Sequence, residues 1–386
     1  MARTPRRPPR AEHIGSLLRP VELRRELDEL GAVKAGYSAT LLEPRDVDRV
    51  RAVEDEFIRR AVARQIDCGL DVVSDGEFRR AHFTGSFYDA VDGLRPATGA
   101  NTRVWHNERG ERITYPGVPV IERRLSKAGD FAGREAAFLV SATEHPFKVT
   151  FPAGSWFMAP ALNKAARLVP GYEDEGEFAE HVIGILRELI KDAIAAGARY
   201  VQLDFPSYVY LMDEGTSARL RETGVDPNEL LERCLRADRA VLDGMPDDVT
   251  FGLHLCRGNH RSSWLFDGSI EPVAERFFNE LPYDVFLIEW EDTTREGDFS
   301  PLRYMPKGPV VVVGLVSTKR AQLESEDEVL ARMEEASRFL DLDQLAVSPQ
   351  CGFASTMEGN LLDEDTQWRK LELVGRVADR LWPRSG

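Results

Sequence analysis

Two features are scarce in this 386-residue chain: cysteine and long apolar stretches. Four cysteines cannot form a disulfide framework in a chain of this length, so disulfide-rich secreted classes are excluded and a reducing, cytoplasmic setting is expected. No apolar run approaches the roughly 18 residues that a membrane-spanning helix needs, so we expect no membrane association. Hydrophobic residues at 42% and charged residues at 30% are typical of a globular protein with one large domain or two ordinary ones.

The chain also has fewer basic than acidic residues. The chain has 50 Lys and Arg against 65 Asp and Glu, a formal net charge of −15, which argues against nonspecific binding of nucleic acid. The first ten residues are an exception, because they are basic and proline-rich and lack the apolar core of a signal peptide. We interpret residues 1–10 as a disordered basic lead-in and residues 11–386 as a single catalytic domain.

Apolar strand-like segments alternate with amphipathic helices along most of the chain. The strand-like segments are nearly continuous in apolar residues, as in parallel strands that are buried on both faces. Eight such segments predict an α/β fold, specifically a (β/α)8 TIM barrel, with a doubly wound parallel sheet as the alternative. The barrel is favoured because polar residues follow almost every strand, where barrel enzymes place their chemistry. The predicted strands begin near Ile14, Val72, Val149, Val201, Phe251, Val285, Val311 and Leu345.

The segment from about residue 99 to residue 127 has a different pattern. Val104, Trp105, Ile113 and Tyr115 flank the turn-forming sequence Asn107-Glu-Arg-Gly110. Apolar residues on both sides of such a turn are typical of a β-hairpin. We therefore expect a β-hairpin insertion in the first half of the barrel.

Metal-ligating residue types gather at the ends of three predicted strands. His254 and Cys256 are two positions apart in one strand, so their side chains project to the same side. Glu289 closes the next apolar run, and Cys351 comes directly after the last predicted strand. Two sulfurs, one nitrogen and one carboxylate suit a tetrahedral zinc ion, and their wide spacing favours a catalytic over a structural site. The alternative is a set of unrelated buried polar residues, and two acidic residues close to Glu289 compete with it as the carboxylate.

The presence of zinc would indicate a class of reaction. Zinc coordination deprotonates a thiol at neutral pH and makes it a nucleophile, which predicts a thiol alkyltransferase. Cys68 and Cys234 lack the strand-end placement of the other two cysteines and fit buried helix thiols instead.

Polar residues also follow other predicted strands and are candidates for binding a substrate. Ser16, Glu77 and Asp204 offer a hydroxyl and two carboxylates, which could hold an amino-acid head group. Their structural alternatives are a turn, a local ion pair and a helix cap. Trp156 could stack on a flat ring, although such a residue also serves as wall packing.

Two loops add positively charged and amide side chains. Arg257 and Asn259 continue the strand that carries His254, and Lys319 follows the seventh strand. We predict that Arg257 and Asn259 bind substrate and that Asp204 and Lys319 act in catalysis, where Lys319 could supply positive charge or a proton near a leaving group. Taken alone, each also fits a residue that only orients substrate or faces solvent.

Six motifs occur in order along nearly the whole chain. They are Ala11-Glu-His-Ile-Gly-Ser-Leu-Leu-Arg-Pro20, Ser74-Asp-Gly-Glu-Phe-Arg-Arg80, Gln202-Leu-Asp204, His254-Leu-Cys-Arg-Gly-Asn259, Gly314-Leu-Val-Ser-Thr-Lys319 and Ser348-Pro-Gln-Cys-Gly-Phe353. Together they resemble the cobalamin-independent methionine synthase family, in particular its short single-barrel branch. The resemblance implies a barrel related to uroporphyrinogen decarboxylase, with a catalytic zinc ion. It also implies a homocysteine-like thiol and a methyl donor, methyl-folate or methyl-corrinoid, as small-molecule partners.

The resemblance also implies roles for individual residues. The four zinc ligands that it implies are His254, Cys256, Glu289 and Cys351. Ser16, Glu77 and Asp204 would fix the amino-acid part of homocysteine, and Trp156 would lie near the platform for the pterin ring.

Two features depart from the long members of that family. Those members carry a second, N-terminal barrel that helps to bind the folate tail, and they carry a histidine where this chain has Lys319. Both departures bear on the identity of the methyl donor more than on the identity of the thiol that accepts the methyl group. The alternative functions are zinc-dependent alkyl transfer to another thiol, as in epoxide:thiol transfer, C–S bond cleavage, or binding of a thiol without turnover. A homodimer is an open possibility for the assembly.

Overall fold

The structure, a computed structural model, describes residues 9–32, 47–95, 100–107, 113–116, 119–158, 169–290 and 297–383. Its strands in chain order are β1 (Val91–Arg95), β2 (Ala100–Trp105), β3 (Ile113–Pro116), β4 (Val120–Lys127), β5 (Val149–Pro152), β6 (Tyr200–Asp204), β7 (Thr250–Leu255), β8 (Val285–Glu289), β9 (Val310–Val316) and β10 (Leu345–Pro349). Its α-helices are α1 (Val21–Glu29), α2 (Val47–Asp67), α3 (Gly85–Tyr88), α4 (Phe131–Ala142), α5 (Glu175–Ala195), α6 (Glu214–Glu222), α7 (Pro227–Leu242), α8 (Glu271–Glu280), α9 (Glu326–Ala336) and α10 (Glu364–Leu381).

Strands β5 to β10 form one parallel sheet in which each strand pairs with its neighbours in the sequence. This order follows from the helical connections, because right-handed crossovers place successive parallel strands side by side. Every residue of β5, β6, β8 and β10 is buried, as expected for strands that are covered on both faces.

Two short segments close this sheet into a barrel. Ala11 forms a parallel bridge with Val347 in β10, and Val73 forms one with Phe147 just before β5. The two segments join each other through the amide of Asp71, which donates to the carbonyl of Ala11 at 2.9 Å. The predicted (β/α)8 barrel is therefore confirmed, although its first two strands are reduced to single bridges.

The first described residues belong to the barrel. The carbonyl of Arg10 accepts a hydrogen bond from the amide of Val347 at 2.9 Å, and its guanidinium donates to the carbonyl of Leu345 at 2.6 Å. Arg10 is buried by these contacts. Most of the predicted lead-in, residues 1–8, lies outside the described residues, so the lead-in stays a prediction.

Capping residues and the spacing of apolar residues account for where the helices form. In α5, the side chain of Asp174 caps the first turn by accepting from the amide of Glu177 at 2.8 Å. Val182, Leu186 and Leu189 follow at spacings of three or four residues and are buried, because that spacing places them on one face of a helix. In the part of the chain that the structure describes, no helix is long and apolar enough to cross a membrane.

Alternate strand residues fill the interior of the barrel. Residues two apart in a strand point to the same side, so each strand contributes a row of inward side chains. Toward the N-terminal ends of the strands lies a fully buried ion pair, in which Lys148 Nζ is 2.9 Å from Glu12 Oε2. The hydroxyl of Tyr200 also donates to Glu12. The apolar residues packed together in the interior are Ile14, Val72, Tyr200, Val285, Leu287, Val310, Val312 and Ala346.

The insertion is built from antiparallel strands and is anchored on the loop that follows β7. Strand β1 pairs with β4 and β2 with β3, so the predicted hairpin insertion is confirmed and begins with β1, before residue 99. His106 and Trp264 exchange two backbone hydrogen bonds of 2.8 Å. The ring of Trp105 lies 5.8 Å from that of His260. Gly258 has a φ of +93°, and a Cβ there would lie 3.0 Å from the Trp105 ring, so this close approach requires glycine.

Replacing Lys148 with Met should strongly destabilise the barrel. Glu12 would remain as a buried carboxylate without its cation, and we expect the free energy of unfolding to fall by about 3 to 5 kcal/mol. The double variant Glu12→Leu/Lys148→Met should recover most of that loss, because replacing a whole buried ion pair with apolar side chains is close to neutral. Urea unfolding followed by circular dichroism measures both variants, and a double variant as unstable as the single one would contradict this account.

The buried side chain of His13 should make the free energy of unfolding depend on pH in the acidic range. Burial, together with the charge of Lys148, lowers the pKa of His13 to about 3. Between pH 6.5 and pH 3 the unfolded chain therefore binds a proton that the folded chain does not, and the free energy of unfolding falls as the pH falls through that window. The slope from one such group is at most about 1.4 kcal/mol per pH unit. His13→Leu should make the loss between pH 6.5 and pH 5 smaller by about 1 to 2 kcal/mol in urea titrations; an unchanged slope would rule out this role for His13.

Candidate metal centre

The C-terminal end of the barrel brings three of the predicted metal ligands together. His254 and Cys256 project from the end of β7, and Cys351 lies in the loop after β10. One ligand atom from each residue lies within 4.8 Å of the other two, and all three residues are buried. Cys351 Sγ is 3.7 Å from His254 Nε2. Two residues of one strand and one distant cysteine therefore form a group that could hold a metal ion, and their assignment as zinc ligands stays a prediction.

Hydrogen bonds and burial prepare these groups to bind a cation. His254 Nδ1 is 3.0 Å from the carbonyl of Leu287, which can only accept, so Nδ1 carries a proton and Nε2 is the atom that faces the sulfur of Cys351. A hydrogen bond from Cys256 holds the pKa of Cys351 well below its usual value, and the contact with His254 acts in the same direction despite burial. Burial raises the pKa of Cys256, and its bond to Cys351 raises it further. The three groups thus share protons that a metal would replace, and a set of two sulfurs and one nitrogen fits zinc.

The carboxylate of Glu289 lies beside this cluster with both oxygens engaged. Oε1 accepts from Lys319 Nζ at 2.9 Å, and Oε2 accepts from the amide of Arg257 at 2.9 Å. The side chains of Glu289 and Lys319 are almost completely buried. The assignment of Glu289 as a metal ligand stays a prediction. Lys319, predicted from sequence as a proton donor, is held in a buried ion pair.

Asn259 and Arg257 support the loops of the site. Asn259 Nδ2 donates to the carbonyl of Gly352 at 2.7 Å, which ties the loop after β7 to the residue next to Cys351. The guanidinium of Arg257 donates to the carbonyl of Gly268 through Nε and Nη2. A substrate-binding role for either residue stays a prediction.

Two buried carboxylates lie at the C-terminal end of the barrel, and one of them, Asp204, is the sheet partner of His254. Glu77 has a φ of +57°, a left-handed conformation that is strained for a residue other than glycine. Its Oε1 accepts from the hydroxyl of Thr150 at 2.8 Å, and its Oε2 is buried with no hydrogen-bond partner among the described residues. Asp204 ends β6 and accepts from Gln202 Nε2 at 2.7 Å. Burial raises the pKa of Glu77, and it raises the pKa of Asp204 to about 7.

Those carboxylates are suited to a cation from a substrate. The charge of Glu77 contributes to the raised pKa of Asp204, so the two groups lie close enough to interact. Ser16 completes this side of the site: its carbonyl accepts from the amide of Phe353 at 2.9 Å, and its Oγ lies so close to Gly352 that a Cβ there would be 2.0 Å away. Ser16, Glu77 and Asp204 are all buried at the mouth of the barrel, and their role in binding an amino-acid head group stays a prediction.

An aromatic cluster borders Asp204. The half-buried ring of Trp156 makes edge contacts with Phe83 and Phe205, each at 5.6 Å between ring centroids, and its Nε1 donates to the hydroxyl of Tyr88. Phe205 directly follows Asp204 and has a φ of +55°. Sequence reasoning identified Trp156 but missed Phe83 and Phe205, although the position of Phe205 between Asp204 and a proline was a usable signal.

This fold and site define a class of protein: (β/α)8 barrel enzymes with a candidate thiolate metal centre at the C-terminal end of the barrel. The family model described as "Cobalamin-independent synthase, Catalytic domain" matches residues 40–363. The chain belongs to the cobalamin-independent methionine synthase family and is a methionine synthase-like methyltransferase.

The relatives include proteins of about the same length as this chain and enzymes that are much longer. The uncharacterized Bacillus subtilis (strain 168) protein YxjH is 34% identical over 379 residues, which cover 97% of this chain and 95% of that protein. The 5-methyltetrahydropteroyltriglutamate–homocysteine methyltransferase of Corynebacterium glutamicum (strain R) is 26% identical over 77% of this chain but only 36% of that enzyme. A solved structure from Listeria monocytogenes, described as a "Putative Vitamin-B12 Independent Methionine Synthase", superposes with a TM-score of 0.68 at 26% identity and covers 98% of this chain and 99% of that one.

Removing the side chain of Asn259 should weaken the metal centre without unfolding the barrel. Asn259→Ala would free the carbonyl of Gly352 and let the loop that carries Cys351 move, and we expect zinc affinity to fall about 10- to 100-fold, the usual range for groups that support metal ligands. Competition with a chromophoric chelator measures the change. Asn279→Ala is the matched control, because Asn279 also bonds backbone carbonyls but lies on exposed surface in α8. Equal affinities for the two variants would remove Asn259 from this role.

Proposed function

We propose that the protein is a zinc-dependent methyltransferase that moves a methyl group to the thiol of homocysteine or a similar amino-acid thiol. The observation that carries this proposal is the meeting of two sulfurs and one imidazole within 4.8 Å at the same mouth as Glu77 and Asp204. A thiol metal site beside two buried carboxylates suits a substrate that contains both a thiol and an ammonium group.

The zinc ion would be held by His254, Cys256 and Cys351, with Glu289 as the predicted fourth ligand. Bound there, zinc would keep the substrate thiol in its thiolate form at neutral pH. Thiolate ligands place negative charge at the centre, so a bound sulfur stays nucleophilic and alkyl transfer is favoured over hydrolysis. All four cysteines of the chain are free and buried, which agrees with the reducing, cytoplasmic setting in which such a site survives.

The residues around the centre would orient the amino acid. Glu77 Oε2 is a buried acceptor that lacks a hydrogen-bond partner among the described residues, although Oε1 lies 3.8 Å from Arg80 Nη1, and a substrate ammonium would supply the hydrogen bond to Oε2. Asp204 would bind the same ammonium, and Ser16 would offer its hydroxyl to a polar group of the head. Holding the amino acid at its polar end aims the sulfur toward the metal ligands, which is an orientation effect.

The methyl donor is a methyl-folate or a methyl-corrinoid. The sulfur attacks the methyl group, a C–S bond forms as the bond between the methyl and the donor breaks, and the donor keeps the electron pair. A folate nitrogen needs a proton to leave, whereas a corrinoid does not. Trp156, with Phe83 and Phe205, would provide an apolar wall for the flat ring of either donor.

Zinc content and the environment of the zinc test this proposal. We expect one zinc per chain by elemental analysis, and X-ray absorption at the zinc edge should show an additional sulfur neighbour when homocysteine is added. Cys256→Ala and Cys351→Ala should each lower zinc affinity by more than about 100-fold, the upper range for groups outside the ligand set. Cys68→Ala and Cys234→Ala are matched controls, because they remove equally buried thiols that lie elsewhere.

The outcomes separate the parts of the proposal. Zinc without a new sulfur neighbour would keep the metal but exclude homocysteine as the thiol. Reduced protein that takes up no zinc, or a Cys256→Ala variant that keeps both zinc and thiol methylation, would overturn the proposal as a whole.

A further inference from the structure

We infer that Lys319 is a positioning residue that competes with the metal for the carboxylate of Glu289, so that a metal position can pass to the thiol substrate. This inference rests on the proposed function. It assigns Lys319 a role other than the transfer of a proton to the methyl donor, and it makes Glu289 a ligand that is exchanged during the reaction.

Beside the metal ligands, the protein offers the carboxylate of Glu289 a binding place made of two hydrogen-bond donors. Lys319 Nζ lies 2.9 Å from Oε1, and the side chains of Lys319 and Glu289 are 4% and 0% exposed. The amide of Arg257 donates to Oε2 at 2.9 Å. Charged hydrogen bonds shielded from water are strong, so this place can compete with a metal for the same group.

The loop after β7 fixes one side of that place. The amide that binds Glu289 belongs to Arg257, which directly follows the ligand Cys256 in the chain. The guanidinium of Arg257 is itself held by the carbonyl of Gly268 at 2.9 and 2.6 Å. The carbonyl of Arg257 also accepts from the amides of Leu265 and Phe266 at 2.9 and 3.1 Å, so the backbone here is held as well as the side chain.

The loop after β9 fixes the other side. The amide of Lys319 donates to Ser317 Oγ at 3.2 Å, and the carbonyl of Thr318 accepts from Asn360 Nδ2 at 2.8 Å. The peptide group that joins Thr318 to Lys319 is thus held through both its carbonyl and its amide, and this fixes the loop from which the ammonium of Lys319 reaches Glu289.

The balance of buried charges at the metal centre explains why a second binding position for the carboxylate of Glu289 would help the reaction. The atoms of His254, Cys256 and Cys351 gather within 4.8 Å without any contribution from Glu289. An incoming thiolate adds one negative charge to the centre, and a carboxylate displaced by it would be unstable if it stayed buried without a cation. Lys319 supplies that cation, so the exchange of Glu289 for the substrate sulfur leaves no unpaired buried charge.

Lys319→Met should change two binding affinities in opposite directions, which general disruption of the site would not do. Without the ammonium, Glu289 should bind the metal more firmly, so zinc affinity should rise about tenfold, the lower range for groups that support metal ligands. The thiol must then displace a firmer ligand, so the affinity of the zinc-loaded protein for homocysteine should fall about tenfold. Chelator competition measures the first quantity and titration calorimetry the second. A variant that is merely misfolded at the site would lose both affinities together.

Three further variants complete the test. Lys319→Arg keeps the charge and should behave like the parent protein. In Lys319→Met/Glu289→Gln, the gain in zinc affinity should disappear, because the competing carboxylate is gone. Lys191→Met removes an exposed lysine of α5 and should change neither affinity.

The inference is overturned if Lys319→Met leaves both affinities as they are in the parent, or moves them in the same direction. It is also overturned if the gain in zinc affinity persists after Glu289→Gln is added. A parent protein that binds no zinc or no thiol would instead refute the proposed function, so the two failures are distinguishable.

Discussion

Closure of the barrel by two single bridges determines where the candidate residues for the amino-acid head lie relative to the metal ligands. The bridge of Ala11 to Val347 and the bridge of Val73 to Phe147 are formed by short segments, and each segment continues directly into the mouth of the barrel. One leads to Ser16 and the other leads to Glu77. Because all strands of the barrel are parallel, their C-terminal ends lie on one side, and residues far apart in the sequence meet there. Without these bridges the metal ligands would still gather, but the groups suited to the amino-acid head would not face them.

Buried negative charge is the second constraint, and it links the metal, the substrate and the protein. The mouth of the barrel contains Glu77, Asp204 and Glu289 together with two cysteine sulfurs, all shielded from water. Burial, with a smaller contribution from the charge of Glu77, raises the pKa of Asp204 to about 7, so an unpaired carboxylate is poorly tolerated there. Nearby cations are partly committed elsewhere, since Arg80 makes a two-bond ion pair with Glu135. A metal ion and a substrate ammonium are the positive charges that such a site is built to receive.

Much of the fold and part of the site could be predicted from the sequence. His254 and Cys256 were recognisable because they are two residues apart in an apolar strand, and that spacing alone fixes a common direction. The order of the strands followed from their alternation with helices. The ion pair of Lys319 with Glu289 and the bond of Asn259 to Gly352 were not predictable, because they join loops that follow different strands. No local pattern encodes the distance between such loops.

The sequence by itself determined the alternation of strands and helices, the inward direction of the strand residues and the set of metal-ligating residue types. These properties depend on periodicity and composition, which are local. Only the tertiary structure decided that Glu289 turns to Lys319 and the amide of Arg257, and that the insertion rests on the loop after β7 through Trp105. Those choices depend on which buried charges and rings meet when the barrel closes, and that is settled by packing in three dimensions.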